Sequence, residues 1–405
     1  MKKLFEIALG MVTGIGGFLE AGSIATSAQA GADFGYRLLW AVALGTLSLV
    51  VLLEMSGRLA LVSQRTLADA MRERFGINYA VIPFAVGLLV SLLVLCSEIG
   101  GVALALQMAT GIRYQWWAVP VALVAWLALW RGRFGPLEKG TAGLGLVAVA
   151  IAVAALRLHP DWGRVSAALL PTRPAHEKAH YWFLVVSIIG ASISPYLYYF
   201  YSAGAIEEKW TLDYLNTNRL TAALGNAAGG VLSGAVLVVA ALVFLPRGVH
   251  VGQVEQLGLL LAPPLGRWGF ALLVAVVGVN CFGATVEIAL ACAYLLAQAL
   301  GWEWTEDAKP REHARFSLTF TACVLLAMLP IALGVDVLKL TNFSMALTSA
   351  SLPVTVLPLL VLMNDRAYLH RHHNRWPGNL ALGAIALLSL VLLAVALPLQ
   401  LLGGG

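Results

Sequence analysis

The chain carries little charge for its length. Only 12% of its 405 residues are Asp, Glu, Lys or Arg, whereas 60% are hydrophobic. Soluble domains usually have about a quarter of their residues charged, so this balance excludes an ordinary soluble protein and indicates a helical membrane protein. The net charge of +5 resides in basic loops between apolar segments and gives no reason to expect a nucleic-acid partner.

Cysteine is scarce, and catalytic motifs are missing. The four cysteines lie in apolar segments without metal-site or disulfide spacing, so we interpret them as small buried residues. No nucleophile lies beside a base, and no cofactor motif is present. The repeated pore loops and charged rings of channels are also missing from the sequence. These absences argue against an enzyme or a passive channel, and we expect no cofactor.

Long apolar runs fill most of the sequence instead. Eleven of them are long enough to span a bilayer as helices. They cover approximately residues 6–30, 36–63, 80–110, 115–131, 138–158, 180–206, 214–245, 266–300, 314–334, 337–362 and 378–402. The chain is therefore predicted to be an all-α polytopic protein of the lipid bilayer, and we expect it in the bacterial inner membrane.

The distribution of Lys and Arg predicts the orientation of these segments. With the N-terminus placed in the cytoplasm, 17 of the 26 basic residues fall in inner segments and nine in outer segments. This arrangement is favoured because short cytoplasmic loops are enriched in Lys and Arg. An odd number of spans then puts the C-terminus outside.

Two of the apolar segments are interrupted near their middles. The first contains Glu20 within the run Gly-Gly-Phe-Leu-Glu-Ala-Gly-Ser, and the sixth contains Ser194-Pro195-Tyr196. Pro195 removes a backbone donor from its helix, and a carboxylate at membrane depth is costly and usually functional. Paired breaks five segments apart are typical of inverted-repeat transporters. We therefore expect a five-plus-five inverted repeat with an ion site at Glu20.

One long stretch and several short motifs of the sequence are distinctive. The long stretch runs from Glu20 as Glu-Ala-Gly-Ser-Ile-Ala-Thr-Ser-Ala-Gln-Ala-Gly-Ala-Asp-Phe-Gly-Tyr-Arg-Leu-Leu-Trp. The short motifs are Met55-Ser-Gly-Arg-Leu, Thr66-Leu-Ala-Asp-Ala, Glu98-Ile-Gly, Gly135-Pro-Leu-Glu138, Leu352-Pro353 and Leu357-Pro358. Together they resemble the Nramp (natural resistance-associated macrophage protein) family of proton-coupled divalent metal transporters. The resemblance covers segments 1 to 10 and implies a LeuT-like fold with helices 1 and 6 broken.

This resemblance also implies a division of the chain. Residues 1–158 would form the first repeat, 159–179 an extracellular loop, 180–362 the second repeat, and 363–405 a cytoplasmic loop with the eleventh helix. A monomer is compatible with this arrangement.

The resemblance implies a set of site residues, several of which depart from the family. Glu20 takes the place of the Asp, and Ser23 that of the Asn, in the family's Asp-Pro-Gly-Asn motif. The ion site would comprise Glu20, Ala21, Gly22, Ser23, Ser194, Pro195, Tyr196 and Met345. Ser194-Pro195-Tyr196 replaces a Met-Pro-His, Met345 replaces a Gln, and Leu95 replaces an acid of segment 3. Glu98 is retained as a candidate for coupling or proton relay. Glu287, in apolar segment 8, is either a second relay acid or a structural hydrogen-bonding group.

The donor types leave two substrate classes open. All eight histidines lie in loops or at segment ends, and the family's segment 6 Met is replaced, which disfavours a site selective for manganese or iron. One carboxylate with hydroxyls and carbonyls suits Na⁺ or H⁺ as a coupling ion, while helix N-termini favour an anion. The sequence thus favours a small anion such as bicarbonate. The alternative is a hard divalent cation, Mg²⁺ or less readily Mn²⁺, with Glu20 as its metal ligand.

Two oppositely charged pairs at helical spacing predict local ion pairs. Glu54 and Arg58 are four residues apart in segment 2. Asp33 and Arg37 have the same spacing at the outer end of segment 1. Residues four apart lie on one face of a helix, so we expect a salt bridge in each pair.

Overall fold

The computed structural model describes residues 18–131, 146–174, 176–252, 254–305, 310 and 312–401. The beginnings of predicted segments 1 (6–17) and 5 (138–145) lie outside the described residues. The same is true of the Gly135-Pro-Leu-Glu138 motif, residue 402 at the end of segment 11, and the chain ends.

Within those ranges the regular secondary structure is helical. The α-helices are α1 (Ala21–Phe34), α2 (Leu39–Ser63), α3 (Leu67–Phe75), α4 (Ile77–Thr110), α5 (Tyr114–Trp130), α6 (Val149–Arg157), α7 (Trp162–Ala167), α8 (Lys178–Ser192), α9 (Pro195–Glu207), α10 (Leu215–Val243), α11 (Ala262–Leu265), α12 (Gly269–Leu300), α13 (Ala314–Ala332), α14 (Val337–Asn364), α15 (Arg366–Leu369) and α16 (Trp376–Leu399). Eight helical stretches of the described chain are long and apolar enough to cross a membrane, and α5 is a shorter apolar helix. Each of the eleven predicted segments thus corresponds to a helix, or to two helices in the case of the broken sixth segment. For segments 1 and 5 the comparison covers only the residues that the structure describes.

The sixth segment is broken where the sequence predicts. Helix α8 ends at Ser192, and Ile193 leaves the helical conformation with φ −119° and ψ 59°. Ser194 is extended, and α9 begins at Pro195. Proline is favourable in the first turn of a helix because no N–H is needed there. The chain therefore ends one helix and starts the next at the predicted break.

The described part of the first segment starts at its predicted break. Glu20 is extended (φ −89°, ψ 175°) and immediately precedes α1. Helix α1 then packs against α8 and most extensively against α10. The carboxylate-bearing residue is therefore the N-cap of a helix buried inside the bundle.

Close helix packing brings α14 beside these breaks. A Cβ added to Gly190 in α8 would lie 2.1 Å from the carbonyl oxygen of Met345 in α14. Only glycine permits this approach, and small residues serve the same purpose at many membrane helix interfaces. Elsewhere, α4 packs along α12, and α16 packs on α14. The two breaks and the middle of α14 consequently meet in the interior.

The predicted Glu54–Arg58 pair is confirmed. Arg58 Nε lies 3.2 Å from Glu54 Oε1. The same guanidinium donates to the carbonyl of His372 at 2.9 Å and to Asn374 Oδ1 at 2.8 Å. Arg58 thereby ties α2 to the loop between α15 and α16.

The predicted Asp33–Arg37 pair is wrong. Asp33 instead contacts His180 and His250. Helix α1 ends at Phe34, and Gly35, with a positive φ of 61°, begins a short 3₁₀ helix, Gly35–Leu38. The α-helical spacing that would bring Asp33 and Arg37 together is therefore lost between them.

Candidate ion site

Glu20 is fully buried at the start of α1. Its Oε2 accepts a hydrogen bond from the hydroxyl of Tyr196 at 2.9 Å. Its Oε1 has no hydrogen-bond partner among the described residues. An incompletely satisfied buried carboxylate is costly, so this oxygen is available to bind an ion or a proton.

The break between α8 and α9 supplies hydroxyl groups to this carboxylate. Tyr196 lies in the first turn of α9, where the chain direction set by Pro195 turns its phenol toward Glu20. Ser194 is also fully buried, and its Oγ faces the carboxylate without completing a hydrogen bond. The two interrupted segments therefore meet at Glu20, as the sequence predicts.

Glu98 brings a second carboxylate to the same place. It is fully buried in α4, and its two oxygens accept from the backbone N–H of Ala21 at 3.1 and 3.2 Å. Ala21 is the first residue of α1. The positive end of a helix favours an anionic group, so Glu98 satisfies this helix end with protein charge.

Ser23 contributes to the shape of the break. Its hydroxyl donates to the carbonyl of Phe18 at 2.7 Å. In this conformation the hydroxyl stabilises the turn before α1. Ser23 therefore supports the backbone that presents Glu20.

The thioether of Met345 reaches the first turn of α1. A Cβ added to Gly22 would lie 2.6 Å from the Met345 sulfur. Gly22 thus allows the sulfur to lie directly against the backbone two residues from Glu20. Met345 is fully buried, and α14 holds it between α1 and α8. The sequence assigns Met345 to the site by position, but it contains no signal for this contact.

Helix α12 adds two further side chains around the acids. Glu287 is 9% exposed and acts electrostatically on the hydroxyl of Tyr196. The thiol of Cys281 contacts Glu98. Cys281 is absent from the sequence-based site because an isolated cysteine in an apolar run has no distinguishing pattern.

The assembled site is rich in oxygen and in negative charge. Two carboxylates from α1's N-cap and α4, two hydroxyls from the second break and one thioether from α14 lie around the start of α1. No set of three or more His, Cys, Asp or Glu side chains in the described ranges is arranged as a metal cage. A cation bound here would need hydroxyl, carbonyl or water oxygens besides the carboxylates, the ligand types that suit Mg²⁺, Ca²⁺ and Mn²⁺.

Comparison with known families gives a match along nearly the whole chain. The family model described as natural resistance-associated macrophage protein-like (Nramp) matches residues 10–399. A divalent metal cation transporter MntH of Deinococcus radiodurans is 29% identical over 365 residues, covering 86% of this chain and 79% of the relative.

Solved structures share the arrangement of helices. The manganese transporter of Eremococcus coleocola superposes with a TM-score of 0.81 at 19% identity, covering 96% of this chain and 86% of that one. Mhp1, a nucleobase-cation-symport-1 family transporter, superposes with a TM-score of 0.63 at 15% identity, covering 98% and 90% of the two chains. The predicted LeuT-like fold with broken helices 1 and 6 is thereby confirmed.

Proposed function

Because the chain belongs to the Nramp-like family of membrane transporters, we propose that it moves a divalent metal cation by alternating access through the site centred on Glu20. The chain is a transporter rather than an enzyme, and transporters of this family need no cofactor. The observation that carries the proposal is the second carboxylate, Glu98, beside the start of α1.

The charge of the site favours a divalent cation over an anion. The sequence alone shows one carboxylate at the first break, which suits a monovalent coupling ion, and helix N-termini, which favour an anion such as bicarbonate. In the folded chain, Glu98 already occupies the N-terminal end of α1 and brings a second carboxyl group to the site. Buried charge is stable only when it is matched. Two carboxylates match a dication, whereas bicarbonate would meet like charge.

The ligand types favour a hard or borderline cation. Glu20, Ser194 and Tyr196 offer oxygen atoms, and oxygen ligands suit Mg²⁺ and Mn²⁺. The sulfur of Met345 lies near the same turn and would add affinity for softer ions. We propose that the main-chain turn at Ala21, Gly22 and Ser23, together with Pro195, shapes the site rather than supplying charge.

Coupling to protons is proposed to involve Glu98 and Glu287. Like charges held close together in a dry interior favour uptake of a proton or a cation. Arrival of a dication at Glu20 and Glu98 would therefore release a proton. Glu287 of α12, whose charge acts on the Tyr196 hydroxyl, is the group proposed to receive it. One structurally similar protein is a manganese transporter, which agrees with a divalent cargo. The proposal for this chain, however, is based on the chemistry of its own site.

Uptake into proteoliposomes tests the proposal. Purified protein would be assayed with Mg²⁺, Mn²⁺ and bicarbonate, each with and without Na⁺ and a pH gradient. We expect uptake of a divalent cation that depends on the pH gradient. Glu20→Gln should reduce this uptake to the level of empty liposomes, since it removes the charge that faces the ion.

The matched control is Glu73→Gln, an exposed acid of α3 that pairs with Arg65. This variant should transport like the unmodified chain. Bicarbonate-driven change of luminal pH without uptake of either cation would contradict the proposal and restore the anion hypothesis. Undiminished cation uptake by a folded Glu20→Gln variant would show that the ion binds elsewhere.

A further inference from the structure

A carboxylate near the predicted outer end of α1 is held by two imidazoles. Asp33 Oδ2 lies 2.9 Å from His180 Nε2, and Asp33 Oδ1 lies 2.7 Å from His250 Nδ1. Asp33 is mostly buried, with 10% of its side chain exposed, whereas His250 is 79% exposed. An ionised carboxylate only accepts hydrogen bonds, so both imidazoles act as donors to it.

The three residues come from three separate parts of the chain. Asp33 is in the last turn of α1, His180 is in the first turn of α8, and His250 follows α10. The segment containing His250 is also hydrogen-bonded to α1, because Gln29 Nε2 donates to the carbonyl of Val251 at 3.1 Å. Asp33 therefore joins two membrane helices and a connecting segment at one point.

The same two helices converge on the ion site at their other ends. Helix α1 starts beside Glu20, and α8 stops just before Ser194. Asp33 and His180 are each 12 residues from these ends, or about 18 Å along a helix. Separating the far ends of α1 and α8 would open a route toward Glu20 from that side. Glu20 is fully buried in the present conformation.

We propose that Asp33, His180 and His250 form a pH-sensitive latch, here called the outer latch, that holds α1 and α8 together on the predicted outer side. Imidazole changes its charge between about pH 5 and pH 8. A protonated imidazole makes a shorter and stronger hydrogen bond to a carboxylate than a neutral one. External acid therefore strengthens the outer latch and closes that side, and alkaline solution loosens it.

Other titratable groups lie on the helices and loops around Asp33. Some of them make hydrogen bonds or ring contacts of their own. His176 stacks on Phe34 with ring centroids 5.0 Å apart. The Tyr181 hydroxyl donates to the carbonyl of Thr172, and Arg247 donates to the carbonyl of Val243. Further charged or titratable side chains close in sequence to these helix ends are Tyr36, Arg37, Arg173, Glu177 and Lys178, and the charges of Asp161 and Arg164 also act on Tyr36. Of the described groups, the two imidazoles are those that hydrogen-bond to Asp33, so their protonation sets the strength of the outer latch.

A distance measurement between the two helix ends tests this proposal. Spin labels would be attached at Arg37→Cys and Lys178→Cys, both exposed positions, in protein reconstituted in lipid nanodiscs without added metal. Labelling of the parent chain, whose four cysteines are buried, measures the background. We expect one short distance at pH 5.5 and an added longer population at pH 8.

Variants of the outer latch should remove this pH response. Asp33→Asn and the double variant His180→Gln/His250→Gln should each give the same distance distribution at both pH values. His159→Asn is the matched control, because His159 is exposed and asparagine tolerates its positive φ of 49°. This control should respond like the parent chain.

The proposal is overturned if the parent distances do not change with pH, or if the change persists in both variants of the outer latch. The experiment uses no transported ion. A failure of the divalent-cation proposal would therefore leave this result unaffected.

Discussion

At the scale of single residues, Glu20 combines burial with incomplete hydrogen bonding. Its side chain is fully buried, and only one of its oxygens has a hydrogen-bond partner within the described chain. An unsatisfied buried polar atom costs about 1–3 kcal/mol, and more when it is charged. Such a cost persists in a membrane protein where the group is used, which supports Glu20 as the ion-binding acid.

Met345 is expected to control preference between soft and hard cations. Met345→Leu conserves side-chain volume, so packing against Gly22 should survive while the sulfur is lost. Thioether sulfur favours softer metals. Uptake of Cd²⁺ relative to Mg²⁺ should therefore fall about tenfold, the equivalent of roughly 1.4 kcal/mol, with Mg²⁺ uptake almost unchanged. Competition between the two ions in proteoliposomes measures this ratio.

Met363→Leu provides the control for the Met345 substitution. Met363 is also fully buried and lies in the same helix, near its C-terminal end. Its replacement should leave the Cd²⁺/Mg²⁺ ratio as in the parent chain. An unchanged ratio in Met345→Leu would mean that the sulfur only packs against α1.

At the scale of elements, the start of α1 depends on a partner far away in sequence. Glu20 is the N-cap residue, but its side chain makes no capping hydrogen bond. The cap is supplied by Glu98, 77 residues away from Ala21. Glu98 therefore has two roles, one in fixing the helix end and one in adding charge to the site.

Two substitutions separate these roles of Glu98. Glu98→Gln retains an oxygen that can accept from the N–H of Ala21 but removes the charge. It should leave thermal stability in detergent almost unchanged while strongly reducing divalent-cation uptake. Glu98→Ala removes the cap as well and should also lower the free energy of unfolding by about 1 kcal/mol, as loss of an N-cap does. Equal transport by the parent chain and Glu98→Gln would rule out a role for this charge.

The helices were predictable from sequence, whereas contacts between them were not. Apolar run length predicts the spans, and Pro195 and the glycines near Glu20 predict where helices break, because these signals are local. The Glu98–Ala21 hydrogen bond, the contact of Met345 with Gly22 and the link from Asp33 to His180 all join residues far apart in the chain. They depend on how α1, α4, α8 and α14 pack, which no local pattern encodes. Because Glu98 reaches the start of α1 only through this packing, a second carboxylate at the site could not be predicted from the sequence.

At the scale of the whole molecule, the orientation predicted from Lys and Arg determines which side each cluster faces. The contacts of Arg58 with Glu54, His372 and Asn374 then lie at the cytoplasmic end of the bundle. The outer latch lies at the opposite end. An inverted repeat alone does not fix this choice, since both ends have helix termini and loops. The asymmetry of 17 inner to nine outer basic residues is what favours it.

Cysteine labelling in oriented vesicles tests the orientation directly. Arg164→Cys, Arg173→Cys and Arg371→Cys each replace an exposed side chain, and the native cysteines are buried. In right-side-out vesicles, a membrane-impermeant maleimide should label Arg164→Cys and Arg173→Cys, because both positions belong to the predicted extracellular loop. Arg371→Cys should be labelled only after the vesicles are permeabilised. The reverse pattern would place the N-terminus outside and move the outer latch to the cytoplasmic face, where cytoplasmic rather than external pH would act on its imidazoles.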